Sequence, residues 1–338
     1  MSEAGRSATI FGCSGPTLTD AERHFFRQVD PFGFILFARN IENPAQVSAL
    51  TADLRASVGR DAPIFIDQEG GRVQRLRAPH WREWLPPLEA VGKAGESAER
   101  MLWLRYRLIA DELRAVGIDG NCAPVADVQT PATHPFLANR CLSDEVARVA
   151  RLARAVAEAH LAGGVLPVMK HLPGHGRAAA DTHHDLPTVT AGRETLAESD
   201  FAPFRALSDL PLAMTAHVIF AAHDAERPAT CSPAMIRVIR DEIGFGGLLM
   251  TDDLSMQALS GSIGARAGAA IAAGCDLALH CNGDLAEMDA VALASGDMGA
   301  ATLARARAAL AARRPPEPVD SRALEAEHAG LLGGHVHG

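Results

Sequence analysis

Short apolar runs alternate along this chain with longer stretches whose apolar residues recur at helical spacing. The runs at 7–14, 33–37, 63–66, 117–128, 164–169, 212–218, 247–250 and 275–280 read as strands, each closed by glycine, proline or a cluster of polar residues. Between them the pattern predicts helices over 18–28 (capped at Thr19 or Asp20), 43–58, 97–116, 144–161, 192–207, 233–243 and 263–273, then closing helices over 285–293 and 300–313. Residues 78–95, rich in proline and tryptophan, read as a long loop. The polar tail after Pro315 is expected to pack loosely. Eight strands in strict alternation with helices predict an α/β chain folded as a single (β/α)8 TIM-type barrel spanning 1–338. A doubly wound sheet is the alternative, but no GxGxxG follows the first strand, and no linker or internal repeat divides the chain.

In such a barrel the chemistry belongs at the C-terminal ends of the strands, so the polar residues just after each run are the candidates. The densest stretch is MKHLPGHGRAAADTHHDLP at 169–187, with one lysine, four histidines and two aspartates among glycine and proline. Within it, Asp181 and His183 stand two apart, so in an extended loop the carboxylate can orient and polarise the imidazole for general acid/base work. A structural loop histidine is the bland alternative, and His184 is expected to point elsewhere. Lys170 can either contact sugar hydroxyls or form an imine; its polar neighbours favour the first. The third strand ends in DQEGGRVQR at 67–75, where Asp67 can accept bonds from adjacent hydroxyls beside a Gly-Gly turn; a surface ion-paired turn is the alternative. Arg140 sits on the loop after the fourth strand, where a solvated arginine is more natural than a ligand; it gains weight because that loop belongs at the same barrel face. TDDLSM at 251–256 ends the seventh strand with two acids, Asp252 and Asp253, of which only one can face the barrel axis as a nucleophile while the other supports it; capping the following helix is the alternative and suits Asp253. The four clustered histidines lack HExxH or HxH spacing, so no metal is expected.

Composition narrows the class. The chain has 338 residues, 48% hydrophobic and 22% charged, with a formal charge of −9 and pI near 5.9. An acidic balance argues against nucleic acid and anionic membranes as partners. Neither a signal peptide nor a membrane-spanning run is apparent, and six scattered cysteines without a CxxC pair suit a reducing, cytoplasmic setting.

Taken together, DQEGGRVQR, KHLPGHG at 170–176, DTH at 181–183 and TDDLSM resemble the family 3 glycoside hydrolases. More narrowly they resemble the single-domain, NagZ-type β-N-acetylglucosaminidase branch, over about residues 8–310. The resemblance implies a (β/α)8 barrel and a retaining mechanism. It assigns Asp252 as nucleophile, His183 as acid/base with Asp181 as its partner, and Asp67, Arg75, Arg140, Lys170 and His171 as sugar-binding residues. It also implies removal of terminal GlcNAc from muropeptides, GlcNAc-β-1,4-anhydro-MurNAc with or without peptide, in cytoplasmic peptidoglycan recycling. A monomer needing neither metal nor organic cofactor is expected. The chain departs from the usual family pattern at Leu172, Thr182, Gly120 and Asn121. Rival readings are a phosphorylase using the same Asp252, a sugar-binding barrel without catalysis, and a Lys170-dependent aldolase.

Overall fold

The structure is a computed structural model in which residues 3–178 and 186–333 are described. Ten strands are present among them: β1 Ser7–Phe11, β2 Pro31–Leu36, β3 Ile64–Ile66, β4 Gly120–Asn121, β5 Leu166–Leu172, β6 Thr188–Val189, β7 Leu212–Thr215, β8 Ile219–Phe220, β9 Leu248–Met250 and β10 Ala278–His280. Eight form one parallel sheet in the order β10-β1-β2-β3-β4-β5-β7-β9. A parallel bridge from Met250 to Leu277 joins its two ends, so the sheet closes on itself as the expected barrel. The short β6 and β8 pair with each other outside it.

Alternation along each strand builds two cores. Leu212 and Met214, Leu248 and Met250, and Leu277 and Leu279 fill the barrel interior with Ile10, Phe65 and Val168. Their neighbours Ala213, Leu249 and Ala278 face outward into the layer between sheet and helices. Local signals set the helices as well. Thr19 and Glu22 form a reciprocal capping box that starts Asp20–Val29, and Asn43 caps Pro44–Val58.

Several elements differ from the sequence pattern. The fourth apolar run forms only two regular strand residues; Pro124, with no N–H, interrupts the ladder, which resumes as a single parallel bridge from Val125 to Lys170. The run at 164–169 extends to Leu172, which brings Lys170 and His171 onto the strand itself. The segment 192–207 splits into Arg193–Glu198 and Ala202–Ala206, with buried Asp200 between them accepting from Arg177 Nε at 2.7 Å. The stretch 78–95 includes the helix Pro87–Ala94.

The tail is the largest departure. Instead of packing loosely, Ser321–Leu331 is a helix capped by Asp320 and docked on Ala98–Ala115. Glu325 meets Arg82 at 2.6 Å and Glu327 meets Arg100 at 2.7 Å, while His328 lies buried, its ring 5.4 Å edge-on from that of Trp84. The polar residues that made this stretch look solvated are its ion-pairing face. Removing residues 320–338 should cost about 2–3 kcal/mol, chiefly through newly exposed Trp84 and its neighbours. Calorimetry should then show Tm lower by roughly 3–4 °C; an unchanged Tm would mean that the helix contributes nothing to the fold.

Candidate active site

A pocket of about 200 Å³ opens at the C-terminal ends of the barrel strands. Asp67, Arg75, Arg140, Lys170, His171 and Asp252, all singled out from sequence, line it. Such a volume falls below the range for drug-sized ligands and suits a single small ring.

One wall is an ion network built from β3, β5 and the loop after β4. Arg140 grips Glu69 through two parallel bonds of 2.8 Å. Lys170 Nζ reaches Glu69 at 2.6 Å and Asp67 at 2.9 Å, and Arg75 closes on the other Asp67 oxygen at 3.1 Å. Burial alone would push both carboxyls up. The charges of Arg140 and Lys170 override it, holding Glu69 at about 2, and Lys170 with Arg75 holds Asp67 lower still. Burial likewise disfavours the lysine cation, but Asp67 and Glu69 outweigh it and raise the Lys170 pKa above its ordinary value. An imine-forming lysine must lose its proton, so this environment runs against the aldolase reading. The turn allows the network because Gly70, at φ 108°, has no Cβ; one placed there would lie 1.7 Å from the Arg105 guanidinium.

Behind this wall Asp127 orients the histidines. Its carboxylate accepts from His171 Nδ1 at 2.7 Å and from the His175 backbone N–H at 2.7 Å. With Nδ1–H committed, His171 Nε2 faces Arg140 Nη2 at 3.4 Å. The His175 ring lies 5.5 Å from that of His171, and burial pushes its pKa down to about 4, so it is neutral at ordinary pH.

Asp252 stands on the other wall, after β9, half-buried. The backbone N–H of Asp253 donates to its Oδ1 at 2.8 Å. Burial works to raise its pKa, yet His217, His171 and that N–H together lower it, so the group is an ionised carboxylate at neutral pH. Asp253 holds the turn: it accepts from Ser255 N at 3.0 Å, Ser255 Oγ at 2.6 Å and Cys281 N at 3.2 Å. It is not the cap of the next helix, Ile263–Ala273, which belongs to Ser262. Asp181 and His183, the expected acid/base pair, lie outside the described residues, as does His184.

Among the described residues no group of three or more His, Cys, Asp or Glu is placed to hold a metal ion. The sequence pattern did not single out Asp127, weighed His175 only as a metal ligand, and left Glu69 unranked beside Asp67. Asp127 stands at the end of the fourth run, the same strand-end signal that marks Asp67 and Asp252.

Residues 18–312 match the family model described as the glycosyl hydrolase family 3 N-terminal domain. The chain belongs to glycosyl hydrolase family 3. This family 3 protein is 40% identical over 283 residues to a β-hexosaminidase of Methylococcus capsulatus, covering 81% of its own length and 82% of the relative's. Against a β-hexosaminidase of Pseudomonas aeruginosa it is 38% identical, covering 82% and 83%. Its fold is similar to the crystal structure of NagZ from Neisseria gonorrhoeae in complex with N-trifluoroacetyl-D-glucosamine, at TM-score 0.79 and 29% identity over 98% of this chain and 100% of that one. A family 3 β-N-acetylglucosaminidase from Paenibacillus gives TM-score 0.82 and 31% identity, covering 96% of this chain and 66% of that longer one. The protein is thus a family 3 glycoside hydrolase. No helix among its described residues is long and apolar enough to cross a membrane.

Proposed function

We propose that this enzyme is a retaining exo-β-N-acetylhexosaminidase that releases terminal GlcNAc from GlcNAc-β-1,4-anhydro-MurNAc, with or without peptide, in cytoplasmic recycling of cell-wall fragments. The observation that carries the reading is the opposition of an ionised Asp252 to the Asp67–Glu69–Lys170–Arg140 network across a pocket sized for one sugar ring. Similarity to relatives named β-hexosaminidase supports the sugar class.

In this account the network binds the sugar. Its carboxylates accept hydroxyl protons, and its cations, already neutralised, donate without a large desolvation cost on binding. Asp252 attacks the anomeric carbon, forming a glycosyl ester, as His183 delivers its proton to the departing oxygen. Asp181 orients that imidazole. The neutral His183 then takes a proton from water as the ester is cleaved, regenerating Asp252 and releasing the sugar with its configuration retained.

The test is hydrolysis of an aryl N-acetyl-β-glucosaminide in phosphate-free buffer. Turnover by the wild type is expected, and His183→Ala should lower kcat/KM by about 10²–10⁴-fold toward a sugar leaving group, less toward a nitrophenolate that needs no proton. Turnover that requires added phosphate would replace hydrolase with phosphorylase. Binding without turnover in either buffer would leave a sugar-binding barrel.

A further inference from the structure

The sugar-binding turn 67–69 is held from below by a buried polar relay that the catalytic account does not use. His160 lies on the helix Val146–Ala162 and is fully buried. Its Nδ1 is 2.8 Å from the Val156 carbonyl, one helical turn back, so Nδ1 carries the proton and Nε2 presents a lone pair. Asn121 Nδ2 donates to that lone pair at 2.9 Å. The orientation of the Asn121 amide is fixed by its other partner. The Gln68 backbone N–H can only donate, so the atom 2.9 Å away must be Oδ1. The second Nδ2 hydrogen is then shared with the Gln68 carbonyl at 3.1 Å. Asn121 thus satisfies both backbone groups of Gln68, as a continuing strand would have done had β4 not ended there. The Gln68 side chain passes the constraint on: its Oε1 accepts from Arg75 N at 2.9 Å and Leu76 N at 3.0 Å.

Gln68 sits between the two carboxylates that hold Lys170 and Arg140, and its side chain fixes the backbone of the arginine that closes on Asp67. We infer that His160 and Asn121 are a positioning pair that sets where Asp67 and Glu69 stand, and hence how tightly the terminal sugar is bound. The inference rests on the sugar-binding role given to that network above. It also accounts for Gly120 and Asn121, the departures in the fourth strand. A Cβ at 120 would meet the Phe65 ring at 2.2 Å, so glycine lets β4 approach β3 closely enough for the Asn121 amide to engage Gln68.

His160→Phe keeps the ring volume but leaves an Asn121 N–H buried without its partner. His160→Gln can restore an acceptor. A positioning role predicts KM for the aryl N-acetyl-β-glucosaminide raised about tenfold in His160→Phe with kcat changed much less, and a return to within about twofold of wild type in His160→Gln. In an Asn121→Ala background His160→Phe should add little, because both act through the same bond. A purely structural role would lower Tm in His160→Phe and leave KM in the folded enzyme unchanged, overturning the inference. The crystal structure of His160→Phe decides independently of the substrate: displaced Asp67 and Glu69 carboxylates are expected, and an unmoved turn would overturn the inference. A wild type inactive on the glycoside would count against the proposed function instead.

Discussion

Asp252→Ala lowers kcat/KM toward an aryl N-acetyl-β-glucosaminide by at least about 10⁴-fold while the protein stays folded and still binds the sugar. The expectation follows from what the carboxylate does and does not hold. Its hydrogen bond comes from the adjacent Asp253 N–H, and among the described residues it forms no ion pair, so its removal takes little from the fold. The turn around it is kept by Asp253 through Ser255 and Cys281, and by His217 Nε2, which donates to the Asp253 carbonyl at 3.0 Å. In the proposed mechanism the acid that attacks is therefore separate from the acid that shapes the loop. Asp253→Ala should fail differently, by losing stability along with activity, and thermal melts beside initial rates distinguish the two. The lowered pKa of Asp252 has a consequence for the acid side of the pH profile. In the proposed mechanism ionised Asp252 is the active form, so activity should fall as pH drops through a value below the ordinary carboxyl range.

Glu69→Ala is the second large effect, and it falls on stability and binding together. Glu69 is 1% exposed and is the shared anion for Arg140 and Lys170. Removing it leaves two buried cations facing Asp67 alone, which costs about 3–5 kcal/mol by analogy with other broken buried pairs. For a chain of this size that corresponds to roughly 4–7 °C in Tm, with a raised KM in whatever protein remains folded. Glu69→Gln isolates the charge. The Glu69 carboxyl is held at about 2 against an ordinary 4.5, so its contribution is complete above pH 4.5 and lost as pH falls toward 2. The wild type should therefore lose stability over that interval more steeply than Glu69→Gln, whose remaining slope reflects Asp67 and other carboxyls. Parallel denaturation curves for the two proteins across it would remove the network from the account of stability.

Much of the site was legible because barrels put chemistry at strand ends, and strand ends show in sequence as the places where apolar runs stop. Asp67, Lys170 and Asp252 were found that way. What sequence could not give was the wiring between ends. Asp127 and Lys170 are far apart in the chain, and only closure of β3, β4 and β5 brings Asp127 to His171 and Lys170 to Glu69. The fourth run misled by length: apolar periodicity does not reveal that the regular strand stops at Asn121, whose side-chain amide takes over the pairing with Gln68. The tail misled by polarity, since a helix that docks through ion pairs and one buried histidine has the composition of a solvated segment.

The most direct test of the central claim is to trap the covalent intermediate with a 5-fluoro N-acetylglucosaminyl fluoride and map the adduct by tandem mass spectrometry. The account predicts one sugar per protein, esterified to Asp252, with activity recovering as the ester hydrolyses. An adduct on Asp253 or Asp67, or steady turnover of the reagent through inversion at the anomeric carbon, would contradict it.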